Sequence, residues 1–131
     1  MIKIQKIQDA SQMRIDFKRN KVKLSITTEI PKEILVECDN RINFSLLNRG
    51  INILHVSIKV YSQDQDLTLN TSPAYYRWIG SGESVQFMVT VRCNKQGDKK
   101  FFLQINLKDE QYEEYTFVKE LKIKSVVFPE R

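Results

Sequence analysis

Apolar residues recur at every second position over most of this chain. The clearest runs are Val22-Leu24-Ile26, Ile42-Phe44-Leu46, Leu54-Val56-Ile58-Val60, Val85-Phe87-Val89-Val91 and Phe101-Leu103-Ile105-Leu107. Weaker ones are Ile2-Ile4, Met13-Ile15-Phe17, Leu67-Leu69 and the stretch from Phe117 to Val127. A period of two puts successive side chains on opposite faces of an extended backbone, so each run predicts a half-buried β-strand. No stretch holds apolar residues at i, i+3, i+4 and i+7 over three turns, and no helix is predicted.

Turn chemistry falls between the runs, at Glu29-Ile30-Pro31-Lys32, Asn48-Arg49-Gly50, Gly80-Ser81-Gly82-Glu83, residues 94–97 and residues 108–114. Seven to nine short strands separated by turns predict an all-β fold, an antiparallel sandwich with alternate residues forming its core. At Asn48-Arg49-Gly50 the chain passes from one strand to the next. Gly50 is expected to supply a positive φ free of a Cβ penalty, and Asn48 to bond the nearby backbone.

Composition adds limits. The 131 residues, 41% hydrophobic and 28% charged, suit one globular domain able to bury a core without disulfides or a metal. No apolar run approaches the roughly 20 residues of a membrane span. The first residues alternate Ile with Lys and Gln and form no continuous apolar segment of the signal-peptide kind, so a cytoplasmic location is expected; an excised domain would instead be extracellular or at the cell surface. The net charge of +5 resides in the first 24 residues, where Lys3, Lys6, Arg14, Lys18, Arg19, Lys21 and Lys23 oppose Asp9 and Asp16. Residues 1–28 therefore read as a basic extension, with Ile2, Ile4, Met13, Ile15 and Phe17 forming one or two added strands, and residues 29–131 as the sandwich.

Three segments carry a resemblance: "INFSLLNRGINILHVSIKV", "WIGSGESVQFMVTVRC" and "GDKKFFLQINL". Over about residues 34–126 the chain resembles immunoglobulin-like sandwich modules of the CARDB and NEW3-like kind, which repeat in prokaryotic surface proteins. Their pattern is a strand ending in Asn-x-Gly, a valine-alternating strand, a Gly-Glu or Gly-Asp turn and a Gly-led strand. The resemblance implies an immunoglobulin-like fold and says little of function. Adaptin ear domains share the sandwich and bind short peptides, and no stretch here singles them out. In an immunoglobulin-like sandwich Cys38 and Cys93 would lie at the start of strand B and the end of strand E, which are antiparallel neighbours. Their parity with Ile42 and Val91 points both inward, as buried free thiols or, in an oxidising compartment, a disulfide.

Catalytic chemistry is sparse. His55, the single histidine, has outer-face parity and no convergent partners. The carboxylates of "DEQYEEY", residues 109–115, lack the oxygen-ligand spacing and glycine of a calcium loop and read as a solvated hairpin tip. No catalytic residue, metal or cofactor is expected, and no enzyme. The strongest surface candidate is the aromatic cluster Tyr75, Tyr76, Arg77 and Trp78, a composition enriched at protein interfaces and sugar-stacking sites. The expected function is a binding or assembly module making protein–protein contact through this patch or a sheet edge, edges that also admit a homo-oligomer. Two alternatives stand beside it: a carbohydrate-binding module using the same aromatics, and a binder of nucleic acid or another acidic surface through the basic N-terminal face.

Overall fold

The structure, a computed structural model, describes residues 10–127. Ten strands and no helix form among them: β1 (Ala10–Arg19), β2 (Val22–Pro31), β3 (Glu33–Leu35), β4 (Asn40–Asn48), β5 (Ile53–Tyr61), β6 (Leu67–Ser72), β7 (Tyr75–Ile79), β8 (Ser84–Cys93), β9 (Gly97–Asp109) and β10 (Glu114–Val126). They make two five-stranded sheets, ordered β1-β2-β4-β8-β6 and β3-β10-β9-β5-β7. All pairings are antiparallel except β3 with β10. The sandwich expected from the alternation is present, with more strands than seven to nine. β3 is too short to register as a periodic run, and residues 67–79 supply one strand to each sheet.

Alternate residues of both sheets meet in one core. Val22, Leu24 and Ile26 of β2, Ile42, Phe44 and Leu46 of β4, and Phe101, Leu103 and Ile105 of β9 are all at most 1% exposed. Phe44 and Phe87 are partners in the β4–β8 ladder and stack at 5.0 Å between ring centroids. Burying such side chains contributes about 1.5–3 kcal/mol each, which is why the alternation sets the register so firmly. The expected boundary after residue 28 falls inside β2, whose core residues belong to the sandwich itself. β1 pairs with β2 along its whole length, from Ala10 opposite Pro31 to Arg19 opposite Val22. It packs Ile15 into the core and Met13 and Phe17 against it. Ile2 and Ile4 lie outside the described residues.

The connection after β4 works differently from the expectation at one residue. Asn48 is fully buried, and its Nδ2 donates to the carbonyls of Ile51 and Ile79, both at 2.9 Å, while its Oδ1 accepts from the Gly50 N–H at 3.0 Å. Its backbone bonds Glu83 and Gly82, so one residue ties the β4–β5 and β7–β8 connections together. Gly50, however, has no positive φ. A Cβ there would stand 2.3 Å from the Lys21 carbonyl oxygen and 2.7 Å from the Lys23 nitrogen. Glycine is needed because the β1–β2 turn passes against it, not because the backbone is left-handed.

Two parity expectations fail where the chain leaves regular extension. Residues 36–39 form a turn with Glu37 at φ 62°, so the alternation of β4 does not reach back to Cys38. The Glu37 N–H bonds the Cys93 carbonyl at 2.8 Å, which puts the two cysteine segments side by side as expected for neighbouring strands. Yet Cys38 is exposed and only Cys93 is buried, both as free thiols. In β5 a bulge lies between Ile53 and His55 in the ladder with β9. Ile53 therefore takes the inward place expected for Leu54, and the pattern Val56-Ile58 resumes beyond it.

Candidate functional site

The Tyr75–Trp78 cluster forms most of β7, which among the described residues is the edge strand of its sheet and pairs with β5 alone. Tyr76 and Ile79 both turn inward, which three residues of strict alternation cannot achieve. Trp78 resolves the conflict by adopting φ 57°, an unusual conformation for a bulky residue. It lies at the level of the β5 bulge, since Ile53 opposes Ile79 and His55 opposes Arg77 on either side. The result frees the indole: Trp78 is 51% exposed and Tyr75 49%. Arg77 is exposed between them. Tyr76 is half-buried against the core and its hydroxyl donates to the Gln86 carbonyl in the opposite sheet. The cluster thus divides into one anchor, Tyr76, and three exposed side chains.

The surface continues across the outer face of the sheet. Ladder registers place Arg77, His55, Lys108 and Glu114 in one row, Tyr75, Ser57, Asn106 and Thr116 in the next, then Lys59, Gln104 and Val118, then Tyr61, Phe102 and Glu120. Tyr75 stacks on His55 at 5.8 Å, and Tyr61 on Phe102 at 5.3 Å with the Lys59 ammonium 5.9 Å from the Tyr61 ring. His55 is on the outer face, as its parity indicated, and beside two cations. Tyr61 and Phe102 escaped the sequence reading. The available signal was the run Phe101-Phe102-Leu103, in which one of three successive apolar residues must face out.

The basic N-terminal residues that the structure describes have different neighbours. Arg14 pairs with Asp16 at 3.0 Å, and Asp16 also accepts from the Ser25 hydroxyl at 2.7 Å. That hydroxyl bond first, then Arg14, holds the Asp16 carboxyl below its ordinary range. Lys18 opposes Lys23 on the outer face of β1 and β2, while Arg19 lies 5.3 Å over the Phe117 ring. Lys21 is exposed in the β1–β2 turn, and Lys3 and Lys6 lie outside the described residues. Among the described residues no group of three His, Cys, Asp or Glu side chains is arranged to hold a metal ion. No helix among them is long and apolar enough to cross a membrane.

No protein-family model matches the sequence, and no curated protein matches it. Solved structures do. The chain is similar to the ASH/PapD-like domain 7 of human CEP192, with a TM-score of 0.60 at 14% identity over 86% of this chain and 92% of that one. It is similar to the GAE domain of GGA2p from Saccharomyces cerevisiae, with a TM-score of 0.60 at 15% identity over 85% and 97%. The Escherichia coli chaperone DraB gives 0.52 at 9% identity over 76% and 53%. At such identities the likeness concerns the fold alone: the chain is an immunoglobulin-like antiparallel β-sandwich. The narrower CARDB or NEW3-like kinship has no support among these matches.

Proposed function

We propose that this domain is a non-enzymatic protein-binding module whose contact is made by the β7 edge and the adjoining outer face. The observation that carries the reading is the exposure of Trp78 and Tyr75, with Arg77 between them, on a strand whose other side is unpaired among the described residues. Burying large aromatics and arginine at the centre of an interface is what gives such patches most of their affinity. A free strand edge adds backbone hydrogen bonds to the same contact. The fold neighbours include a GAE domain and a chaperone, which agrees with a binding role and leaves the partner open.

The test is affinity capture from the protein's own source with the natural chain and with the double variant Tyr75→Ala/Trp78→Ala. The reading expects a protein recovered by the first and lost with the second, both variants melting cooperatively. Retention of the same protein by the double variant would move the contact elsewhere. Binding of a glycan by the natural chain, lost in that variant, would favour the carbohydrate alternative, since the same rings suit sugar stacking.

A further inference from the structure

A second edge is open on the opposite flank of the sandwich. β9 pairs with β10 from Glu114 to Ser125, whereas β3 covers the other side of β10 only at residues 124–126. Among the described residues no strand covers that side over residues 114–123. Across the flank stands β1, the edge of the other sheet. Phe17 and Phe117 stack at 4.9 Å and close the seam between them at one end. Towards the other end it widens into a hollow of about 660 Å³, where Met13, Ile30 and Ile123 supply apolar lining and Lys32 and Lys122 are exposed at the rim.

Charge sorts the occupants. Lys119 shares the inward side of β10 with Phe117 and Leu121, yet it is exposed, so the seam is open to water there. Asp98 lines the hollow and is the ladder partner of Lys124, whose other neighbour is Glu33, so Lys124 has carboxylates on both sides. Lys99 is held by Asp64 and Asp66. Lys32, Lys119 and Lys122 have no carboxylate within 4.0 Å among the described residues. An inward lysine on an edge strand deters indiscriminate strand pairing. A second copy of this chain would bring the same lysines against these and be repelled. A strand carrying carboxylates would be attracted, which turns the deterrent into selectivity.

We propose that this seam is a docking groove for an extended acidic segment of a protein partner. The segment adds a strand to the free side of β10, seats an apolar side chain on Met13, Ile30 and Ile123, and sets carboxylates against Lys32 and Lys122 at the rim. The surface is separate from β7, so a partner here is independent of the one proposed above.

The experiment is selection of displayed random decapeptides on the whole chain, followed by fluorescence anisotropy with the enriched peptides. The expected peptides alternate Asp or Glu with apolar residues, and their affinity falls by on the order of tenfold in Lys32→Glu/Lys122→Glu, as loss of close charge pairs requires. The same peptides bind Tyr75→Ala/Trp78→Ala unchanged and lose affinity when alternate backbone amides are methylated. Thermal melts confirm that each variant is folded, since Lys32 and Lys122 are exposed. Failure to enrich any peptide, enrichment of neutral or basic ones, or binding that survives the charge reversal would each overturn the proposal.

Discussion

Replacing Asn48 by alanine removes a side chain that satisfies three backbone groups: the buried carbonyl of Ile79, and the part-buried carbonyl of Ile51 and N–H of Gly50. Asn48 itself is fully buried, so water does not take its place without rearrangement. Leaving a buried group unpaired costs roughly 1–3 kcal/mol and the two part-buried groups add less, which puts the change at about 3 kcal/mol. With an unfolding entropy of roughly 2.1 cal/mol/K per residue, the chain's 131 residues convert that into a fall in Tm of about 11 °C. Asn48→Asp separates the contributions. It keeps the acceptor for Gly50 but points a carboxylate oxygen at two carbonyls, and should be at least as damaging as alanine. Urea titrations and thermal melts of the three proteins are the assay. A loss below about 1 kcal/mol in Asn48→Ala, or an aspartate variant as stable as the natural chain, would refute the view that this amide clamps the loops around β7.

Other outcomes follow from single features. Gly50→Ala should destabilise by about 3 kcal/mol, because the added Cβ meets backbone atoms of the β1–β2 turn rather than a yielding side chain; urea unfolding reads it. In the native protein a thiol reagent should modify Cys38 quickly and Cys93 only on unfolding, with two thiols titrating in denaturant without reductant; two equally fast thiols would contradict the burial of Cys93. Asp64 accepts the Asp66 N–H and an ion pair from Lys99, and these hold its carboxyl below the ordinary value of 3.8. Its stabilising contribution is therefore present above the unfolded carboxyl's pKa and lost as pH falls through the lower native one. Asp64→Asn should lower Tm at pH 7, and the gap should close in acid below about pH 4. On Lys99, partial burial works against the charge and the two aspartates outweigh it, so its contribution fades only as pH rises through a pKa above 10.5.

The sheets were legible because burial on one face imposes a period of two, and nearly every core residue of β2, β4, β8 and β9 follows it. The misreadings share a cause. Cys38 and Leu54 sit where a turn and a bulge shift the parity by one, and nothing in residue type marks the shift. Gly50 was recognised as necessary for the wrong reason, since a close approach of distant backbone is invisible in one dimension. The Tyr75–Trp78 cluster was visible in its crowding of aromatics beside an arginine, and its division into the anchor Tyr76 and exposed neighbours depends on the Trp78 conformation. The open side of β10 left one faint trace in the sequence. Which strand lies at an edge is set by the order in the sheet, and only Lys119, an inward-parity charge within an apolar run, hinted at it.

The central claim is that β7 carries the partner contact, and amide hydrogen exchange of the chain alone and with its captured partner tests it most directly. Protection concentrated in Tyr75–Ile79, with slower exchange in the adjoining β5, is the result predicted here. An unchanged β7, with protection confined to other elements, would contradict it.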